Sequence, residues 1–311
     1  MKMQNAKTIK TTKLMAIKIF KIALIIEISF LIVMPLINVI IKSFMSISDY
    51  YDPLVYLVPK DTTSFNYQIA FKNLDYIRSL VLSFSYAGGI TLLQIAVCSV
   101  VGYGFARFDI PFKKILFGCV VLTIVLPSHL TLIPLYAQMK SFDIFGIYNL
   151  ITGEEGVNLL NTYAPAILMT LTGAGLRAGL FIFLFRQSFK GMPLSLEEAA
   201  MIDGAGYLKT FIKIMLPNAI PVMVTVLLLS FVWQYNDTLY TSQFIPGIEL
   251  LSNKLSTMTG SLHNANNFTD YKQIELVVNS GVVLTLAPLV IIYLLLQRYF
   301  VEGLERSGIV G

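Results

Sequence analysis

Charge is scarce in this 311-residue chain: 13% of residues are Asp, Glu, Lys or Arg, against 56% hydrophobic. Soluble domains carry about a quarter charged residues, so a water-facing surface over most of the length is excluded. Cysteine is scarcer still. Cys98 and Cys119 are the only two, both in apolar stretches, which excludes a disulfide framework and offers no metal-ligand spacing. The two histidines, His129 and His263, stand far apart with no Cys cluster beside them. No Gly-Lys pair occurs, so there is no Gly-x-x-x-x-Gly-Lys-Ser/Thr loop to cradle nucleotide phosphates. No spacing of carboxylates or of Ser, His and Asp matches a catalytic motif, which argues against a membrane enzyme. The net charge of +5 comes without the aromatic-interleaved basic pattern of a nucleic-acid binder.

The chain does hold apolar stretches near residues 22–41, 80–105, 115–136, 164–185, 218–235 and 279–297. Each is close to the roughly twenty residues that cross a bilayer as a helix. The first follows six lysines and no acid through Lys21. A cleaved leader has a shorter apolar core, so this stretch is expected to stay as the first helix. Pro127 and Pro134 predict a kink or local unwinding in the third. Lys and Arg number fifteen in the N-terminus, residues 106–114, residues 186–217 and the C-terminal tail. The alternate segments 42–79, 137–163 and 236–278 are longer and hold only seven. By the positive-inside rule the first set faces the cytoplasm. The expectation is an all-α integral membrane protein of six transmembrane helices with both termini cytoplasmic. Residues 1–79 then form a basic N-terminus, first helix and outer loop. Residues 80–297 form a five-helix core with a cytoplasmic loop at 187–217, and residues 298–311 form a cytoplasmic tail.

That loop is a polar helical segment between two apolar spans, so it belongs at the membrane surface. Ser195 with Glu198 three residues later has the capping-box pattern. Ala199 and Ala200 favour helix with little bulk, and Gly204 is a natural stop. A second short helix holding Tyr207, Phe211 and Ile214 ends at Pro217. Two readings stand for the first helix. Its small face enters a groove on a partner, with Glu198 and Asp203 meeting basic groups, or it is an ordinary capped connector.

Glu198-Ala-Ala-Met-Ile-Asp-Gly204 followed by Ile214-Met-Leu-Pro217 resembles the Glu-Ala-Ala loop of the membrane subunits of binding-protein-dependent ABC importers. Phe185-Arg-Gln-Ser-Phe-Lys190, Leu132-Ile-Pro-Leu-Tyr136, Asn161-Thr-Tyr163 and Phe231-Val-Trp-Gln-Tyr-Asn-Asp237 resemble further runs of the sugar permeases among them. The matches extend from about residue 80 to the C-terminus, and the likeness is to the six-helix permease of the maltose-transporter type. The resemblance implies a non-catalytic subunit in a bacterial cytoplasmic membrane. It implies pairing with a second related permease, with two cytoplasmic ATPases that hold the ATP and Mg, and with an extracytoplasmic solute-binding protein; this chain itself carries no cofactor. It implies that Leu196, Glu197, Glu198, Ala199, Ala200, Asp203, Gly204, Leu216 and Pro217 couple to an ATPase. The tail Ser307-Gly-Ile-Val-Gly311, with Gly308 and Gly311, either reaches between the ATPases or frays.

Candidates for the solute path are Arg177, Trp233, Tyr235, Asn236 and Asp237. An arginine inside a span marks a pathway or snorkels to the surface. The Trp233–Asp237 run is either an interfacial aromatic anchor or a sugar-facing lip of flat rings and hydrogen-bonding groups. The nearest rival is an ABC permease for another solute, such as glycerol phosphate. An ion-coupled carrier needs acidic relays near the midplane, and only Glu27 and Asp237 lie near spans.

Overall fold

The computed structural model describes residues 2–308 apart from 56, 145, 154, 266 and 267, with side chains described from 14 to 298 except also at 16 and 265. The chain groups into two units, one of Met1–Asn73 with Met258–Leu284 and one of Leu74–Thr257 with Thr285–Gly311. Among the described residues the regular structure is helical, with two isolated β-bridges.

The first unit begins with α1 (Lys2–Phe44), α2 (Ile47–Tyr51) and α3 (Phe65–Asn73). From Leu14 onward α1 exposes most of its apolar side chains, among them Ile25, Phe30, Leu31 and Ile32. Its C-terminal carbonyls need partners and find them within the unit. Buried Asn66 donates Nδ2 to the carbonyls of Ser43 and Met45, and the Ser280 hydroxyl donates to Ser43 at 2.9 Å. Lys42 meets Glu275 at 2.6 Å.

The second unit runs through α4 (Tyr76–Arg107), α5 (Lys113–Val125), α6 (Ser128–Lys140), α7 (Ile147–Thr152), α8 (Ala164–Leu171) and α9 (Ala178–Gly191). It continues through α10 (Ser195–Ile202), α11 (Tyr207–Thr210), a π turn at Phe211–Met215, α12 (Leu216–Asn218), α13 (Ile220–Asn236) and α14 (Leu239–Phe244). Two further helices, α15 (Leu251–Ala265) and α16 (Tyr271–Gly308), contribute to both units. The long α4 is the hub, packing on α9 and α13. Cys98, Tyr103, Phe181, Phe185, Phe189, Met215, Val222 and Val226 form its core. Gly102 allows the approach to α9: a Cβ there would sit 2.6 Å from the Phe185 Cβ and 3.0 Å from the Arg186 backbone nitrogen. Small residues are what permit such close backbone contact.

The helices are less continuous than the six apolar stretches. Among the described residues three unbroken helices, within α1, α4 and α16, are long and apolar enough to cross a membrane, or up to five if each bent pair counts as one. Lys113–Val125 and Ser128–Lys140 meet at 104°, as the proline at 127 leads one to expect, and Tyr207–Asn218 meets Ile220–Asn236 at 76°. The stretch at 164–185 is two helices. Gly173 has φ +74°, and the amides of Gly173 and Ala174 close α8 onto Thr170 and Met169 at 3.1 and 2.8 Å. Unwinding frees carbonyls that must be satisfied. Buried Gln94 of α4 donates Nε2 to the Leu176 carbonyl at 2.6 Å and accepts from Ser230 at 2.7 Å. Ser230 in turn lies 3.0 Å from the Thr91 hydroxyl.

Candidate functional site

The polar loop is built as two short helices at a sharp turn, with one departure from expectation. Ser195 does not cap α10. The cap residue is Leu194, itself helical at φ −62° and ψ −30°, with no side-chain cap bond. Pro193 presets the turn, and the amides of Glu197 and Glu198 both donate to the Leu194 carbonyl, at 3.0 and 3.1 Å. The helix thus starts one residue early, Ser195 falls inside it, and the capping box cannot close. At the other end Gly204 has φ +79°. Its amide bonds to Met201 and that of Ala205 to Ala200, at 3.0 and 2.9 Å, which is the Schellman arrangement. Nothing lies within 4 Å of a Cβ placed at Gly204, so only backbone strain opposes a side chain there. Gly204→Ala is expected to lower stability by roughly 1–2 kcal/mol, read as a drop of a few degrees in detergent thermal unfolding.

The helix has two distinct faces. Glu197 and Ala200 are buried, while Leu196, Glu198, Ala199, Asp203 and Gly204 are exposed. Beyond the turn, Leu216 is half-buried and Pro217 exposed. Glu197, not Glu198, makes the internal ion pair: its Oε1 lies 2.7 Å from Arg107 Nε, with side chains 10% and 8% exposed. The contact is between charges without hydrogen-bond geometry at those two atoms. Arg107 Nη2 also donates to the Met192 carbonyl at 2.8 Å. Tyr103 contacts Phe189 and Phe211, and Phe108 meets Tyr207 edge-on at 5.5 Å.

A second feature of the same unit is a cavity of about 700 Å³ beside the break between α8 and α9. It is lined by Arg177, Trp233 and Tyr240, by Ser128, Thr131 and Gln138, and by apolar and glycine positions. Among the described residues Arg177 is the only charged one in that lining. The unwound stretch holds it at φ +59°, with Cζ 5.5 Å from the Trp233 ring, and Trp233 stacks on Phe181 at 5.7 Å. Aromatic edges beside hydroxyls, an amide and one cation suit a hydroxylated solute.

Of the five path candidates only Arg177 and Trp233 meet in this cavity. Tyr235 is 1% exposed and donates its hydroxyl to the Thr285 carbonyl at 3.1 Å. Asn236 is exposed and bonds back to the Val232 carbonyl at 3.0 Å. Asp237 accepts from the amides of Tyr240 and Thr241 at 3.3 and 2.9 Å, holding the first turn of α14. Burial raises the Asp237 carboxyl above the usual carboxylate range against the opposing pull of those amides. Gln138, Thr131 and Ser128 escaped the sequence reading. Their signal was a cluster of polar side chains in and just beyond a stretch already marked by two prolines. In the tail, α16 ends at Gly308 and Gly311 falls outside the described residues.

Residues 98–306 match the family described as binding-protein-dependent transport system inner membrane component. The chain is 28% identical to the arabinooligosaccharides transport system permease protein AraQ of Halalkalibacterium halodurans, covering 91% of this chain and 93% of that one. It is 27% identical to the melibiose/raffinose/stachyose import permease protein MelC of Bacillus subtilis, over 82% and 84% of the two chains. It is also 26% identical to the sn-glycerol-3-phosphate transport system permease protein UgpE of Shigella flexneri, over 74% and 73%. Its fold is that of a chain of a bacterial ABC transporter involved in the import of the acidic polysaccharide alginate, with TM-score 0.71, 22% identity, and 91% and 95% of the two chains covered.

Proposed function

This chain belongs to the binding-protein-dependent transport system inner membrane components, and we propose that within such a system it is the permease for a saccharide, most simply an oligosaccharide. The sugar assignment is supported by relatives named for arabinooligosaccharides and for melibiose, raffinose and stachyose. The six apolar stretches cross the bacterial cytoplasmic membrane with both termini inside, the fourth as a broken span. This permease pairs with a second, related one, and the pair encloses the path. Two cytoplasmic ATPases hold ATP and Mg, and an extracytoplasmic binding protein delivers the solute.

One observation carries the coupling role: α10 turns Glu198 and Ala199 outward while Glu197 and Ala200 are buried. Its outer face is free to enter a groove on an ATPase, and its inner face is fastened to the bundle. A cysteine at Ala199 is the proper cross-linking position, since Ala200 is only 5% exposed. Membranes of Ala199→Cys are expected to yield a cross-linked ATPase, and Ala200→Cys far less. Equal failure of both in an assembled, active complex removes the docking assignment. Gly308 and Gly311 of the tail are proposed to reach the same ATPase pair.

The cavity at Arg177 and Trp233 is this subunit's share of the path. Stacking and cation contacts of this kind contribute about 0.5–2 kcal/mol each. Trp233→Ala is therefore expected to raise the KM for solute several-fold at little change in ATPase assembly, measured by uptake into proteoliposomes. A second reading, glycerol phosphate as solute, rests on the sn-glycerol-3-phosphate relative. Competition of uptake by sn-glycerol-3-phosphate against raffinose separates the two.

A further inference from the structure

We propose that the buried Arg107–Glu197 pair is the link through which displacement of α10 reaches α4, and that these two residues position the coupling helix. The inference rests on the coupling role above and assigns it a route.

The chain itself joins α10 to α9 through Met192-Pro-Leu194, and to α13 through α11, the π turn and α12. Neither route leads directly to α4, the helix against which both α9 and α13 pack. Arg107 is the last residue of α4. Its guanidinium makes two attachments at once: Nη2 to the Met192 carbonyl at 2.8 Å, and Nε against Glu197 Oε1 at 2.7 Å. One side chain thus grips both the exit from α9 and the first turn of α10. A cation also suits the carbonyl-rich C-terminal end of α4, and the acid suits the N-terminal turn of α10.

Burial decides how firmly this grip holds. The side chains are 8% and 10% exposed, so water cannot replace either partner, and separating the charges leaves both stranded. Rolling α10 outward without dragging α4 is therefore disfavoured, whereas moving the two together keeps the pair intact. The aromatic contacts of Tyr103 with Phe189 and Phe211 involve no charge, so shifting them strands none. Adjacent carboxylates in the loop have opposite duties: Glu198 faces out to the motor, and Glu197 faces in to the helix it moves.

The test uses the whole importer in proteoliposomes, with raffinose, arabinotriose and an alginate trisaccharide as solute probes. The readouts are ATPase co-purification, ATP hydrolysis, and solute taken up per ATP. Wild type must show ATP-driven uptake of one probe; its absence sinks the transport reading itself rather than the link. Arg107→Gln and Glu197→Gln are expected to retain the ATPases and hydrolyse ATP, with uptake per ATP down at least about tenfold, or about 1.4 kcal/mol of coupling. The exchanged pair, Arg107→Glu with Glu197→Arg, is expected to recover to within about threefold of wild type. Unchanged uptake per ATP in both single variants overturns the proposal. So does loss of ATPase co-purification, which would put Glu197 in the docking surface. A deficit that the exchange leaves unrepaired assigns the residues to folding alone and overturns it equally.

Discussion

Glu198→Lys is expected to abolish ATP-driven uptake while the protein inserts and folds at wild-type yield. The structure gives the reason for both halves. Glu198 is exposed and makes no side-chain bond within the chain among the described residues, and its amide donates to the Leu194 carbonyl in the first turn of α10. Removing it breaks nothing internal. If its carboxylate meets a basic group on the ATPase, each charge-assisted bond contributes about 1.5–3 kcal/mol, and reversing the charge adds repulsion. Uptake should fall about ten- to a hundredfold from the lost bond alone, and further from the repulsion. Uptake and membrane yield are measured in the same cells, with Glu198→Gln as an intermediate. Normal uptake by Glu198→Lys removes this residue from the interface.

The second large effect lies in the core. Gly102→Leu is expected to prevent recovery of folded protein, because the first carbon added already collides with the Phe185 Cβ and approaches the Arg186 backbone. A flexible side-chain tip moves aside; a Cβ and a backbone nitrogen on a packed helix do not. Over-packing of this kind costs about 1–3 kcal/mol or more, against a total stability of only about 5–15 kcal/mol. Gly104, two residues along α4, has nothing within 4 Å of its Cβ position. Gly104→Leu is the internal control and should give a monodisperse peak on size-exclusion chromatography where Gly102→Leu gives aggregate. Equal behaviour of the two would mean that α4 and α9 do not pack as described.

What could be read from the sequence was whatever depends on neighbours in the chain. Gly204 ends α10 because an αL residue was needed there, and Pro127 breaks the third stretch because its ring and missing amide act locally. Contacts between distant residues were not legible. Glu197 pairs with Arg107, ninety positions away, and the capping-box pattern drew attention to its neighbour Glu198 instead. The same holds for the fourth stretch, where the carbonyl freed by unwinding is taken by Gln94, on another helix. Tyr235 and Asp237 read as a lip because rings and acids cluster there. The fold uses one for packing and the other to hold α14. Family membership follows from residues 98–306, which includes the loop that first suggested it.

The glutamine at position 94 clasps an unwound carbonyl with one end of its amide and a serine of α13 with the other. An interruption held that way behaves as a fixed elbow, where a bare glycine gap would swivel. The wall carrying Arg177 and Trp233 is therefore held stiff, its backbone pinned from α4 and α13 together.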